Sequence, residues 1–297
     1  MASSRRHMLM GMAALLAGQP LARAWAQSSG TGTGLRTATL DWALFETLLA
    51  IGANVVAAPE LLQFREIAVE PPVPESVVDL GLRGTPNFEI LRQAEPELIF
   101  SSNYYGWADP QMRSIAPIES HSIYLPGESP FALAEKAMRA IGTRLSLPGA
   151  NTVADAAQQR LEDCRKRLAA SDGRPVLLAN LGDSRHYRVF GADSMFGDVL
   201  TRLGRTNAWT SATNYSAMAT VGLETLASMP DAWIVLIPPH PADTLVTLSK
   251  SAFWNALPAV REGRVLTLGA VDPYGGLPAA IRFANLLTEG LDHARNG

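Results

Sequence analysis

The chain has 297 residues, 47% of them hydrophobic and 18% charged, so it can bury one large apolar core or two ordinary ones and is not disordered. A formal net charge of -3 and a pI near 6.0 argue against nucleic acid as a partner, because that binding depends on clustered lysine and arginine. Since Cys164 is the single cysteine, an internal disulfide and a cysteine-based metal cluster are excluded.

The amino terminus has the pattern of an export signal. Arg5-Arg6 precedes an apolar run over 8–18, and Ala24-Trp25-Ala26 is a small-x-small cleavage pattern. An apolar run of about eleven residues is too short for a permanent membrane anchor, which needs about twenty. We therefore expect residues 1–26 to be a twin-arginine-type signal peptide, whose removal releases a soluble protein into the periplasm.

The first strand and helix of the folded protein follow a linker. Residues 27–35 are rich in Gly, Ser and Thr, which is linker composition. A strand is predicted over 36–40, and Asp41 is predicted to cap a helix that ends at Gly52. Trp42 lies in the first turn of this helix, directly after a strand, and the sequence allows it to face either a ligand cleft or the core.

The stretch 81–107 combines a strand with polar and aromatic loops and is the first candidate for a binding site. It contains a glycine-flanked loop with Arg83, a helix opened at Asn87 and a buried strand over 98–100. Ligands of open α/β sheets bind outside the carboxyl ends of strands. The ligand candidates are therefore Arg83, Tyr104, Tyr105 and Trp107. From its position alone, Arg83 has a second interpretation, in which it caps a turn or pairs with a surface acid.

A similar phrase recurs in the second half of the chain. Residues 88–100 and 223–235 both place a glutamate, a leucine two residues later, a proline followed by an acid, and an apolar strand in the same order. We interpret this repeat as a sign of two similar lobes. Glu89 and Glu224 hold matching places in the repeat, although by composition alone each is an ordinary helix acid.

A single helix is predicted to join the lobes. Over 150–171 apolar residues recur at spacings of three and four in an otherwise polar sequence. These residues are Val153, Ala157, Leu161, Cys164 and Leu168. Such a narrow stripe has one seam to bury, so we interpret this helix as a strut laid across the two lobes.

Alternating helices and strands complete both lobes. Further strands are predicted over 55–58, 77–78, 123–125, 176–181, 187–190 and 264–268, and further helices over 131–145, 194–203, 242–257 and 278–295. The alternation predicts an α/β fold with two three-layer lobes and mostly parallel sheets. The lobes are expected over 36–149 and 172–297, joined by the single long helix over 150–171, with the ligand cleft between them.

Residues for metal binding or covalent catalysis are sparse. No pair of histidines has metal-ligand spacing. The histidines are His7, His121, His186, His240 and His293. No nucleophile elbow or phosphate-binding loop occurs, and Cys164 lies on the apolar stripe. We therefore expect no catalytic residue and no metal held by the protein, and an enzyme is the weaker hypothesis.

Aromatic residues in loops at the ends of predicted strands are the more informative signal. In the second lobe these loops carry Trp209, Tyr215 and Tyr274. Loops that face each other across two lobes form a cleft with a flat lining, suited to a ligand that is apolar at its edges and charged at its centre. Arg83 would supply the charged contact, since a guanidinium donates a fixed fork of hydrogen bonds to anionic oxygens.

Several short motifs together resemble one known family. They are the run from Glu70 to Arg83, Pro86-Asn87-Phe88-Glu89, Leu40-Asp41-Trp42, Val189-Phe190-Gly191, Asn207-Ala208-Trp209, Thr213-Asn214-Tyr215 and Tyr274-Gly275. Over about residues 36 to 290 the sequence resembles the periplasmic ferric-hydroxamate-binding proteins, which are class III solute-binding proteins of ABC importers. The family has two α/β lobes bridged by one long helix, with an iron-loaded siderophore in a shallow aromatic cleft between them.

The resemblance implies roles for individual residues. Arg83 and Tyr105 match the arginine and tyrosine that hydrogen-bond the hydroxamate oxygens, and Trp42 and Asn214 match positions that line the cleft. Because the siderophore's oxygens already fill the coordination shell of the iron, no cofactor and no protein metal ligand are implied. Glu89 and Glu224 would face outward to dock on an ABC-type inner-membrane permease. A monomer is expected.

The sequence departs from the family at three aromatic positions. Family tryptophans fall at Ile67, Ser216 and Asp272 here, which is expected to open or reshape the cleft. Two alternatives to a hydroxamate-binding protein also stay open. One is a binding protein for another bulky chelate, such as haem, a cobalamin or a catecholate siderophore, and the other is a periplasmic enzyme that processes the siderophore.

Overall fold

Two five-stranded sheets form the framework of the protein, which the computed structural model describes over residues 34–213, 219–241 and 243–296. The first sheet consists of β1 (Thr37–Thr39), β2 (Val55–Ala58), β3 (Val78–Asp79), β4 (Leu98–Ser101) and β5 (Ile118–Ser120). Its order is β3-β2-β1-β4-β5, with every neighbouring pair parallel. Strands β1, β2 and β4 are buried along their whole length, as expected for a parallel sheet covered on both faces.

The second sheet is mixed. It consists of β6 (Val176–Leu181), β7 (His186–Val189), β8 (Ala219–Gly222), β9 (Trp233–Leu236) and β10 (Val265–Thr267). In the order β10-β9-β6-β7-β8, the first three strands are parallel to one another and the last two add antiparallel pairs. The prediction of an α/β fold with two mostly parallel sheets is therefore confirmed.

Helices connect and cover these strands. In the first half they are α1 (Trp42–Ala50), α2 (Leu61–Ile67), α3 (Phe88–Gln93), α4 (Asp109–Arg113) and α5 (Pro130–Arg144). The long helix α6 (Gly149–Leu168) leads to α7 (Met195–Arg202), α8 (Thr244–Ser249), α9 (Ala252–Ala256), α10 (Pro258–Arg261) and α11 (Leu277–Asn296). None of the helices in the described ranges combines the length and the apolar character that crossing a membrane requires.

Two helix starts follow directly from side-chain capping. The Asp41 carboxylate accepts hydrogen bonds from the backbone N–H groups of Ala43 and Leu44 at 2.8 and 3.3 Å. The Asn87 side chain accepts from Glu89 and Ile90, both at 3.0 Å. These bonds satisfy donors that a helix amino terminus leaves without partners, which is why both starts were predictable.

The long helix α6 buries the predicted stripe. All five stripe residues are at most 7% exposed: Val153, Ala157, Leu161, Cys164 and Leu168. Helix α6 packs against both α5 and α11. Polar bonds reinforce the second contact, since Arg160 Nε donates to Asn285 Oδ1 at 2.6 Å and Arg167 pairs with Asp292 at 2.6 Å. The strut is thus fixed along one side to the last helix of the chain.

One apolar core runs beneath both lobes. Helix α11, from the end of the chain, contacts α1 and α5 of the first half as well as α6 and α7. Phe196 of α7 stacks on Phe283 of α11 with ring centroids 4.4 Å apart, and both belong to the buried cluster that contains Phe45 of α1. Burying each such side chain stabilises the fold by roughly 1.5–3 kcal/mol. The lobes are therefore joined by packing as well as by α6.

Two predicted elements are wrong. The strand expected over 123–125 lies earlier, at β5, because Tyr124 instead turns its side chain across to donate a hydrogen bond to the Gly275 carbonyl at 2.7 Å. The single helix expected over 242–257 is interrupted. Within the described part of that stretch, Ser251 accepts the N–H of Trp254 and so starts a new helix, α9.

Candidate functional site

The carboxyl ends of four parallel strands bring the site residues together. Asp41 follows β1, Glu60 follows β2, Arg83 follows β3, and Tyr105 follows β4. These strands are neighbours in the first sheet, so their ends meet at one edge.

Arg83 is held in place by Glu60. The guanidinium Nε lies 2.7 Å from Glu60 Oε2, and the backbone N–H of Arg83 donates to Glu60 Oε1 at 3.0 Å. The Glu60 side chain is only 12% exposed, whereas that of Arg83 is 34% exposed. Arg83 does pair with an acid, as its second interpretation proposed. This acid, Glu60, is not a surface residue, because it is nearly buried and lies at the carboxyl end of a neighbouring strand.

Trp42 lies directly under Arg83. The guanidinium carbon is 3.9 Å from the centroid of the Trp42 ring, a cation–π geometry. The ring is 3% exposed, its Nε1–H donates to the Pro59 carbonyl at 3.1 Å, and it packs edge-on against Phe64. Trp42 is thus a core residue whose ring supports Arg83, which is the second of the two orientations that its position allowed.

Tyr105 converges on Arg83. The Arg83 guanidinium lies close enough to the Tyr105 hydroxyl to oppose a rise of its pKa. Burial is the main cause of that rise, and the nearby carboxylate of Asp41 adds to it. The side chain is therefore a neutral phenol at physiological pH, able to donate a hydrogen bond. Arg83 and Tyr105 are therefore close to one another, and the binding of hydroxamate oxygens by these two side chains stays a prediction.

Asp41 is a half-buried acid behind this pair. The Ser102 hydroxyl donates to its Oδ2 at 2.5 Å, while its Oδ1 caps helix α1. Burial raises the pKa of Asp41, and Ser102, the two capping N–H groups and Arg83 counteract that rise. The site therefore combines one partly exposed cation with carboxylates that lie deeper.

Three aromatic side chains follow the carboxyl ends of strands, two in the first lobe and one in the second. Tyr104 is 42% exposed and Trp107 is 53% exposed. Tyr274, in the loop after β10, packs edge-on against Tyr124 with centroids 5.8 Å apart. Burial raises the pKa of Tyr274 to about 12, Tyr104 adds to the rise and Arg188 opposes it. Side chains of both lobes are therefore close to one another at Tyr274.

Other residues singled out from the sequence have mixed outcomes. Asn214, Tyr215 and Ser216 lie outside the described residues, and Thr213 just before them is buried and donates to Asp193. Ile67 is half-buried at the end of α2 and packs against the core. Asp272, at a position where the resembling family has a tryptophan, is 3% exposed. Its side chain therefore lies within the protein and does not line an open cleft.

The two glutamates of the repeat lie at matching positions. Glu89 is in the first turn of α3 with its side chain 70% exposed, 3.9 Å from Arg92. Glu224 is exposed in the first turn of the 3₁₀ helix Leu223–Ser228, which follows β8. Both carboxylates are therefore available at the surface, each in the first turn of the helix that follows a strand.

Sequence reasoning missed Glu60 and Glu46. Glu60 is the counter-ion of Arg83, and the only sequence signal is its place after a predicted strand. Glu46 is fully buried on α1. The only signal in the sequence is the helical period, which places Glu46 on the buried face of this helix together with Phe45 and Thr47. No cluster of three or more His, Cys, Asp or Glu that could hold a metal ion occurs within the described ranges.

Comparisons with known proteins agree in fold and family. The family model described as "Periplasmic binding protein" matches residues 38–271. The iron(3+)-hydroxamate-binding protein FhuD of Escherichia coli (strain K12) is 31% identical over 288 residues, which cover 96% of this chain and 95% of that protein. The crystal structure of FhuD from Vibrio cholerae with bound Fe³⁺-Desferal superposes with a TM-score of 0.81 at 25% identity, covering 88% of this chain and 99% of that chain.

A more distant structure shows how widely the fold is shared. The petrobactin-binding protein YclQ of Bacillus subtilis superposes with a TM-score of 0.71 at 17% identity, covering 88% of this chain and 93% of that chain. At this identity the likeness concerns the fold alone.

Proposed function

The chain belongs to the periplasmic binding protein family, and from that premise we propose that it captures an iron(III)-hydroxamate siderophore and delivers it to an ABC-type inner-membrane importer. The observation that carries the proposal is that Arg83 and Tyr105 lie close together at the carboxyl-end edge of the first sheet, although β3 and β4 are separated by two strands. The relatives from Escherichia coli and Vibrio cholerae, whose names or bound ligand indicate ferric hydroxamates, support the ligand class.

Arg83 and Tyr105 suit the oxygens of a ferric hydroxamate. Because the ion pair with Glu60 is made through Nε, the two Nη groups are the part of the guanidinium that a ligand meets. Hydrogen bonds to charged groups contribute about 1.5–3 kcal/mol each, and Arg83 is already oriented by Trp42 beneath it. Tyr105 adds a neutral donor, so the pair can bind iron-bound oxygens that carry partial negative charge.

The protein need not provide iron ligands in this proposal. Three hydroxamates fill an octahedral shell with hard oxygen donors, which suit ferric iron. The aromatic side chains of Tyr104, Trp107 and Tyr274 would pack against the apolar parts of the siderophore, and Asn214 and Tyr215 are proposed to complete the cleft. Iron is then cargo held by its carrier, and no resident cofactor is needed.

Location, partners and domain limits complete the proposal. Residues 1–26 would direct twin-arginine export to the periplasm, where the mature protein acts as a monomer. The proposed lobes cover 36–149 and 172–297, with the connecting helix over 150–171. Glu89 and Glu224 would meet the permease, one from each lobe.

Native mass spectrometry with a mixed ligand panel tests the proposal. The panel contains ferrioxamine B, an iron-loaded catecholate siderophore, haem and a cobalamin. We expect a one-to-one adduct with the ferric hydroxamate, recovered intact and still ferric after incubation. A haem adduct with a shifted Soret band, a preference for the catecholate, or a cleaved or reduced siderophore would replace this proposal with one of its alternatives.

A further inference from the structure

A buried glutamate of the first lobe binds the last helix of the chain. Glu46 lies on α1 and is fully buried. Its Oε2 accepts the backbone N–H of Gly276 at 2.9 Å and of Ala279 at 3.3 Å, at the amino terminus of α11. An anionic or strongly polar oxygen is favoured there, because a helix amino terminus presents N–H groups without partners and the positive end of its dipole.

A second buried acid lies in the loop that leads to this helix. Asp272 is 3% exposed, and its Oδ1 accepts the backbone N–H of Tyr274 at 3.0 Å. The same short loop is held from the other lobe, since the Tyr124 hydroxyl donates to the Gly275 carbonyl at 2.7 Å. Glu46, Asp272 and Tyr124 thus surround the loop that carries Tyr274, one of the proposed ligand contacts.

The two acids leave one oxygen each without a donor. Glu46 Oε1 and Asp272 Oδ2 are fully buried and have no hydrogen-bond partner among the described residues, whereas the other oxygen of each carboxyl group is bonded. An unsatisfied buried acceptor costs about 1–3 kcal/mol, and a second unpaired charge costs more. A single proton between the two carboxyl groups would satisfy both remaining oxygens.

The surrounding charges favour retention of such a proton. Burial, and next the neighbouring Asp272, raise the pKa of Glu46 well above its ordinary value, and Asp41 adds to this. Burial raises the pKa of Asp272 to about 6, although the Tyr274 N–H and the charge of Arg83 oppose the rise. The phenols of Tyr124 and Tyr274 also face the pair, and both remain neutral because burial raises their pKa values.

We propose that Glu46 and Asp272 share one proton and that this carboxyl pair positions the Tyr274 loop against the first lobe. The Glu46 hydroxyl donates to Asp272 Oδ2, while Glu46 Oε2 keeps its bonds to α11. Glu46 is thus a positioning residue that acts through Asp272 and Tyr274. The link to ligand affinity rests on the proposed function, whereas the shared proton does not.

The pH dependence of unfolding tests the shared proton without any ligand. A buried acid that stays protonated in the folded state releases its proton on unfolding, so stability falls as pH rises from the ordinary carboxyl range toward the raised folded value. Above the ordinary carboxyl range, the unfolding constant of the wild type should rise more steeply with pH than that of Glu46→Gln, by up to about tenfold per pH unit for one retained proton. The amide of that variant replaces the proposed hydroxyl donor. Glu75→Gln, at an exposed acid, should keep the wild-type slope.

Equal slopes for wild type and Glu46→Gln would overturn the shared proton. Should that variant not fold, infrared spectra of the wild type at neutral pH provide the second measurement. These spectra should show the carbonyl band of a protonated carboxyl group, and the substitution Asp272→Asn should shift this band. Absence of the band from the wild type would equally overturn the proposal.

Ferrioxamine B affinity tests the positioning role. Glu46→Gln should bind ferrioxamine B within about twofold of the wild type, a difference of about 0.4 kcal/mol, whereas Glu46→Ala should bind it clearly more weakly. Equal affinity of wild type and Glu46→Ala would contradict the positioning role. If no variant and no wild-type protein bound the siderophore, the proposed function would fail while the result on the proton would stand.

Discussion

At the scale of single residues, Arg83 depends on two partners that fix it from different sides. Glu60 holds its Nε and its backbone N–H, and the Trp42 ring supports the guanidinium from below. A cation fixed in this way loses little conformational freedom when a ligand binds, so more of the hydrogen-bond energy contributes to affinity.

We predict that Arg83→Ala weakens binding of ferrioxamine B by about 10- to 150-fold, because one charged hydrogen-bonding group is lost. Arg83→Lys should lose most of the same affinity, since an ammonium has no fixed fork. Quenching of tryptophan fluorescence during titration measures both changes. Arg92→Ala removes a 57%-exposed arginine on α3 and provides the control, which should bind like the wild type. Wild-type affinity in Arg83→Ala would contradict the assigned role.

Glu60→Gln separates positioning from contact. The variant keeps a hydrogen-bond acceptor for Arg83 but removes the negative charge from the pair. We predict a smaller loss of ferrioxamine B affinity than in Arg83→Ala, measured by the same titration. A loss equal to or greater than that of Arg83→Ala would show that Glu60 contributes more than orientation.

Part of the site was predictable from the sequence. Arg83 and Tyr105 follow predicted strands, so the rule that ligands bind at strand ends was enough to select them. Glu60 was missed because the pairing joins residues 23 positions apart through neighbouring strands, and no local pattern records it. The Glu46–Asp272 pair joins residues from opposite ends of the chain and depends entirely on how α11 packs.

At the scale of secondary-structure elements, caps and buried strands were predictable and irregular connections were not. Asp41 and Asn87 act through local bonds to the next turn, so sequence alone locates them. The segment 123–125 is apolar like a strand, but its role is decided by the contact of Tyr124 with Gly275 in the other lobe. Apolar composition could not distinguish a buried crossing segment from a strand.

The cap at Asn87 gives a stability prediction. We expect Asn87→Ala to lower the free energy of unfolding by about 1 kcal/mol, because two N–H groups of α3 lose their acceptor. Asn87→Asp should stay near the wild type, since aspartate caps equally well. Urea unfolding followed by circular dichroism measures both. An equal loss in the two variants would indicate that another property of Asn87 matters.

At the scale of the whole molecule, the shared core and the strut helix limit how far the lobes can move. The last helix contacts helices of the first half, α6 is fixed to it by Arg160 and Arg167, and Tyr124 bonds the loop after β10. We predict that the radius of gyration measured by small-angle X-ray scattering is unchanged within error when ferrioxamine B binds. A clear decrease, as in a hinge closure, would contradict this.

Docking on the permease gives a second prediction at this scale. Charge reversal of both repeat glutamates, Glu89→Arg with Glu224→Arg, should abolish siderophore-dependent iron uptake in cells while ferrioxamine B affinity of the purified protein stays unchanged. The single reversal Glu75→Arg, at another exposed acid, is the control and should preserve uptake. Normal uptake by the double variant would contradict the docking role.

The two-lobe architecture was predictable at this scale because the alternation of helices and strands and the stripe on α6 are both periodic features. The close packing of the two lobes was not predictable. It depends on the contact of α11 with α1, and these helices come from opposite ends of the chain.

The central claim is that Arg83 and Tyr105 together bind the iron-bound oxygens of a ferric hydroxamate. A crystal structure of the protein with ferrioxamine B tests it most directly. We predict the iron complex at the carboxyl ends of β1 to β4, with an Arg83 Nη and the Tyr105 hydroxyl each about 3 Å from hydroxamate oxygens. A complex bound elsewhere, or one in which both side chains remain bonded only to protein groups, would contradict the account.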